Sequence, residues 1–102
     1  SNVSSYGSLT TASGLAGTNA SLTVTASDTR RLYTQAFSYR ATGSNTFSAY
    51  NQTQRYLATA ASYTEPLLIG DAVGNNGALS FTATRSGTSY DWGGAALPLV
   101  PA

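Results

Sequence analysis

The sequence has no cysteine, no histidine, no methionine and no lysine; all five of its basic residues are arginine. Each absence removes a chemistry. Without Cys or His there is no zinc site of the usual ligand types, no haem ligand, no thiol redox pair and no disulfide. Zero cysteine fits a reducing cytosol and a secreted chain alike, so it assigns no compartment. Without Lys there is no Schiff base, no phosphate-loop lysine and no amine for an isopeptide crosslink. Fourteen Ser and fifteen Thr are present, but a hydroxyl nucleophile needs a base, and the usual His and Lys are missing.

Charge is also scarce. Charged residues make up 9% of the 102 positions and the net charge is +1, against a usual quarter of a chain. So small a net charge gives too little attraction for general nucleic-acid binding. The four acids are Asp28, Glu65, Asp71 and Asp91. Two of them could act as the acid and base of a glycosidase, but all four stand beside turn-forming residues, where carboxylates cap helices or close Asx-turns. Asp71, Asn75 and Asn76 offer oxygen atoms in a Gly-rich stretch, with too few carboxylates and the wrong spacing for a calcium loop. The expectation is no catalytic residue, no metal and no cofactor. The longest near-apolar stretch, residues 95–100, is far short of the ~20 residues that cross a bilayer as a helix, so no membrane insertion is expected.

What is present points to a folded domain. Leu, Ile, Val and Phe number only 18, a supply that signals disorder when net charge is high, which it is not here. Seven Tyr, one Trp and sixteen Ala make up part of the deficit, and such residues pack well on pleated surfaces. A chain this short makes one domain, with a core small enough to leave room for partners to complete its burial. The first residue is Ser1, as in a processed product, a trimmed chain or a fragment.

Residues 1–18 are rich in Ser, Thr, Gly and Ala, with Val3, Tyr6, Leu9 and Leu15 at spacings that suit neither helix nor strand. They read as an N-terminal arm that is loose, pinned on its own sheet or exchanged with a neighbour; residues 19–102 read as a single β domain. Residues 20–26 alternate between Ala20, Leu22, Val24, Ala26 and Ser21, Thr23, Thr25, the pattern of a half-buried strand. Asp28-Thr29 breaks the run and residues 31–41 resume it, so the two strands read as a hairpin. Residues 42–45 read as a turn and 46–50 as a short strand. Residues 51–63 fit a helical face (Tyr56, Leu57, Ala60, Ala61) or a strand face (Leu57, Thr59, Ala61, Tyr63), with strand preferred.

Glu65-Pro66 ends that element. Residues 67–69 form a short strand, Gly70-Asp71 opens a turn, and Gly74-Asn75-Asn76-Gly77 is the strongest turn signal in the chain. Residues 78–85 follow as a strand with Leu79, Phe81 and Ala83 inward, then residues 89–92 after a turn. Pro98 and Pro101 make the tail an extended edge segment. Six or seven short strands at this spacing predict an all-β fold: a small antiparallel β-sandwich or barrel with an extended N-terminal arm.

Three constellations stand out. Tyr33, Phe37 and Tyr39 share a strand face with Arg31, either a platform for stacking bases or sugars or, as preferred, the aromatic side of a core strand. Tyr90, Trp92 and the Asn75-Asn76 turn combine an aromatic platform with amides, the elements of a glycan site, although a lone Trp at a strand end is more often a core anchor or interface residue. Asn2, Asn19 and Asn51 each open an N-glycosylation acceptor pattern, frequent by chance in so hydroxyl-rich a chain.

The leading expectation is a non-enzymatic structural subunit of a virion, as a capsid or decoration protein, or of an extracellular filament. It would work by self-assembly with copies of itself or another structural protein, placing it outside the cell or on the virion surface. The alternative is a carbohydrate-binding or adhesion domain with a glycan as partner.

Overall fold

The computed structural model describes residues 3–40, 45–59 and 65–101. Those residues form nine strands and no helix: β1 (Val3–Tyr6), β2 (Thr10–Gly14), β3 (Ala20–Ala26), β4 (Leu32–Tyr39), β5 (Phe47–Ser48), β6 (Thr53–Ala58), β7 (Leu67–Val73), β8 (Gly77–Arg85) and β9 (Trp92–Pro101). Every pairing is antiparallel. The large sheet runs β1-β9-β4-β7-β6, with β2 also on β9, and the small sheet runs β3-β8-β5. Two antiparallel sheets enclosing one core make the small β-sandwich the sequence predicts.

Alternation decides β3. Ala20, Leu22, Val24 and Ala26 are buried, while Ser21, Thr23 and Thr25 are exposed; burying Leu22 and Val24 contributes about 1.5–3 kcal/mol each. In β4, Tyr33, Gln35, Phe37 and Tyr39 point into the core, and β8 answers with Phe81 and Ala83. Phe37, Phe47, Tyr39 and Trp92 form a continuous aromatic cluster, with Phe37 edge-on to Trp92 at 5.8 Å and Tyr39 edge-on to Phe47 at 5.0 Å.

Four local expectations are corrected. First, β3 and β4 are consecutive but do not pair as a hairpin: β3 pairs β8, and β4 pairs β7 and β9. The Asp28 turn instead carries the chain from one sheet to the other. Second, Gly70-Asp71 does not turn. Strand β7 passes straight through, because Gly70 leaves room for the buried Gln52 and Gln35 side chains, and Asp71 is held by Arg55 at 2.6 Å.

Third, the tail is not an edge. Strand β9 lies inside the large sheet between the N-terminal strands and β4. Pro98 is tolerated there because its backbone faces the gap between β1 and β2, where Gly7 N–H donates to its carbonyl at 2.9 Å and its missing N–H leaves no ladder bond unmade. Fourth, the separate strand expected at residues 89–92 is absent; only Trp92 is in a strand, as the first residue of β9.

The N-terminal residues lie on their own sheet. Strands β1 and β2 pair successively with the second and first halves of β9. Of residues 51–63, positions 53–58 are strand β6, while Ala60, Ala61 and Tyr63 lie outside the described residues. So do Thr42, Gly43 and Ser44 of the expected 42–45 turn, and Asn2.

Candidate interaction surface

The expected site residues fall into three places. Tyr33, Phe37 and Tyr39 are core residues, and the face they share is the inner face of the large sheet, so they offer no open platform. Asn75 and Asn76 form the turn from β7 to β8. Asn75 Oδ1 accepts from Gly77 N–H at 3.1 Å and Asn76 adopts a left-handed φ of 63°, the Asx geometry that suits such a turn. Tyr90 and Trp92 lie at the other end of β8, a strand of nine residues and so about 27 Å away. The structure does not bring the two halves of the expected glycan site together.

The Tyr90–Trp92 end is a hydrogen-bonded plug. Trp92 is 6% exposed; its indole N–H donates to the Thr18 hydroxyl at 3.0 Å. Gly14 sits against the indole, where a Cβ would fall 2.2 Å from Nε1. Beside it Arg85, 4% exposed, donates to Thr18 C=O through Nε and Nη2 and to Tyr90 C=O through Nη1. Burial pulls its pKa below the usual arginine range, partly countered by Tyr39 and Asp91. Asp91 Oδ1 accepts from Ala16 N–H at 2.8 Å. Tyr90 remains partly open, with the Arg40 guanidinium 4.7 Å from its ring centre.

Asp28 and Asp71 are likewise engaged. Asp28 binds Arg30 and Arg31, and Asp71 binds Arg55. Among the described residues no three His, Cys, Asp or Glu side chains cluster as metal ligands would. Two of the glycosylation-pattern asparagines also hold structural bonds. Asn19 Oδ1 accepts from Arg85 N–H, and Asn51 bridges Ser80 C=O and Thr82 N–H.

The larger signal lies on the outer faces, which differ sharply. On the small sheet Ser21, Thr23 and Thr25 stand beside Ser80, Thr82 and Thr84, with a Thr23–Ser80 hydroxyl bond of 2.7 Å. On the large sheet the outward positions include the apolar Leu32 and Ala36 of β4, Leu67, Ile69 and Val73 of β7, and Ala95, Leu97 and Leu99 of β9, with Thr34 and Ser38 of β4 and Asp71 of β7 among them. Around this stripe lie Tyr6, opposite Leu99, and Tyr56, opposite Ile69. Four of the chain's exposed large apolar residues sit on this one face: Tyr6 (73%), Leu9 (60%), Val73 (57%) and Tyr56 (53%). A shallow hollow of about 150 Å³ opens at its centre, lined by Leu9, Thr34, Ala36, Ile69, Ala95 and Leu97 among others. The ion pair on this face is Arg55–Asp71, which is internally neutral.

None of the apolar residues of this face was named as a binding residue from the sequence, although the near-apolar stretch 95–100 stood out there. The available signal was the failure of alternation in residues 67–73 and 92–101, which are apolar on both sides, the mark of a strand covered on both faces. Comparison of the chain with family models, with curated proteins and with solved structures finds no match.

Proposed function

We propose that the chain is a non-enzymatic structural subunit, of a virion as a capsid or decoration protein or of an extracellular filament, and that it works by self-assembly. The observation that carries the reading is the apolar outer face of the large sheet, set against a hydroxyl-covered face on the small one. Isolated exposed apolar residues are ordinary, but a contiguous apolar patch marks an interface.

The occupant is a second copy, packed face to face. The molecule measures 42 × 24 × 21 Å, so its broad side spans about 1,000 Å², against roughly 800 Å² per partner in a standard interface. The Arg55–Asp71 pair leaves the face without net charge, so two copies meet without repulsion, whereas a strongly charged partner would find nothing to pair with. The hydroxyl-rich, sparsely charged composition fits a particle or filament surface outside the cell.

The test is the mass in solution by light scattering across a concentration series, for the wild type, Ile69→Lys and Leu97→Lys. Ile69 and Leu97 point away from the core, so both variants keep the fold by circular dichroism. Concentration-dependent assembly of the wild type and its loss in the variants is the expected result. A wild type that stays monomeric at every concentration sinks the reading.

A further inference from the structure

We infer that β3 is a second assembly surface, at which two copies join edge to edge by antiparallel pairing of β3 with β3 about a two-fold axis through Thr23. This rests on the self-assembly reading but on a different part of the molecule.

The backbone register shows which groups are free. Asn51 binds Ser80 C=O and Thr82 N–H from one side of β8. Residues along an antiparallel strand turn their backbone groups to alternate sides, so Leu79, Phe81 and Ala83 face β3. Their partners Val24, Leu22 and Ala20 therefore bond to β8. The Asn76 N–H bond to Ala26 C=O at 2.9 Å has the same sense. Ser21, Thr23 and Thr25 are left with N–H and C=O groups aimed outward, and no partner for them occurs among the described residues.

An open edge is ordinarily guarded, by short length, a bulge, a charge or a proline. Three other edges here follow that rule. Strand β5 has two residues, β1 has four and a register shift, and β6 has a shift around Arg55. The far side of β8 is closed by β5 and Asn51. Strand β3 has seven residues with no charge, proline or register shift. On the same flank, β2 of the large sheet packs beside β3 and is also uncharged, so neither layer turns a partner away.

The sequence of the edge matches itself. Pairing about Thr23 sets Thr23 opposite its own copy, Ser21 opposite Thr25 on the hydroxyl face, and Leu22 opposite Val24 on the core face. Thr–Thr and Thr–Ser pairs support each other across antiparallel strands, and a neutral edge meets itself without repulsion. Three N–H and three C=O groups on each copy are satisfied at once. With the apolar face as a second two-fold contact, the subunit carries two independent self-complementary surfaces, enough for a closed tetramer or an open chain of subunits.

The test combines amide hydrogen exchange with mass in solution. In the assembled wild type, the amides of Ser21, Thr23 and Thr25 exchange slowly. Thr23→Pro removes one outward N–H and no backbone bond to β8, giving up inside the subunit only the exposed hydroxyl contact with Ser80, so it keeps the fold, reduces the assembly to the face-to-face dimer and frees the amides of Ser21 and Thr25. Thr23→Lys leaves every backbone bond of β3 intact and gives the same mass change by charge repulsion across the axis. Free exchange at all three amides in the assembled wild type overturns the proposal, as does an unchanged mass in both Thr23 variants. An assembly dissolved by Ile69→Lys and indifferent to both Thr23 variants overturns the edge alone; a monomeric wild type overturns both readings.

Discussion

The Arg85 guanidinium lies over the ring of Tyr39, 4.9 Å from its centre, and carries a charge into the sandwich that no salt bridge among the described residues neutralises. Its compensation is two backbone carbonyls, those of Thr18 and Tyr90, together with the aromatic face. Replacing it with Met leaves both carbonyls without that donor but removes the desolvation cost of the cation. Arg85→Met is expected to lose about 2 kcal/mol net, measured by urea unfolding. Arg85→Lys is expected to lose a similar amount, since an ammonium offers neither the planar stack nor the forked donors. Stability unchanged in both would show that the plug contributes nothing.

A second buried polar pair predicts non-additivity. Gln52 donates its amide to Gln35 Oε1, Gln35 donates to Leu68 C=O at 3.0 Å, and Gln52 Oε1 has no partner among the described residues. Gln52→Leu alone strands the Gln35 oxygen and is expected to cost about 1–3 kcal/mol. Gln35→Leu with Gln52→Leu removes both buried groups and should cost less than the sum of the single changes, a coupling that a double-mutant cycle reads directly. Simple additivity would mean that the two amides do not act as a pair.

Two adjacent glycines predict opposite outcomes. A Cβ on Gly94 would meet the Phe37 ring at 2.5 Å, whereas one on Gly93 would meet nothing within 4 Å. Gly94→Ala is expected to destabilise by about 1–3 kcal/mol through overpacking. Gly93→Ala is expected to be neutral or to stabilise by up to about 1 kcal/mol by narrowing the unfolded ensemble. Melting temperatures that shift alike would contradict this placement of the two faces of β9.

Acid should loosen the β3–β4 connection. Hydrogen bonds from Arg30 hold the Asp28 carboxyl below its ordinary pKa, with weaker help from the nearby Arg31 charge. A carboxyl whose folded pKa is depressed adds stability above its unfolded pKa and loses it as pH falls through the folded one. Unfolding free energy measured between pH 5 and pH 2, a window set about the ordinary Asp pKa, should fall less steeply in Asp28→Asn than in the wild type. Parallel curves would refute the linkage.

Much of the framework was legible in the sequence, for a physical reason. Strands β3, β4 and β8 each have one face on the core, and a half-buried strand writes its burial into every second residue, as in Ala20, Leu22, Val24 and Ala26. Residues 67–73 and 92–101 lack that signature because, Asp71 apart, their outward residues are apolar or glycine too, so Gly70 reads as a turn and Pro98 as an edge. The hairpin expected between β3 and β4 failed because nothing local to Asp28 distinguishes a strand that doubles back from one that crosses to the other sheet. Of the candidate site, the aromatic residues were identifiable, and burial in the core was the preferred reading of Tyr33, Phe37 and Tyr39; the outer apolar face was what the pattern hid. Tyr33, Phe37, Tyr39 and Trp92 are the core of a chain poor in aliphatics, and the exposed face was left to Leu and Ile residues that sequence alone assigns to the interior.

The position of β9 also fixes an order of events. Strands β1, β2 and β4 all pair with it, yet a ribosome delivers residues 92–101 only after β1 to β8 have been made. The large sheet can join its two halves only once that segment is free, so its closure waits on contacts far apart along the chain, the condition under which folding is slow and nascent chains are prone to misassociate.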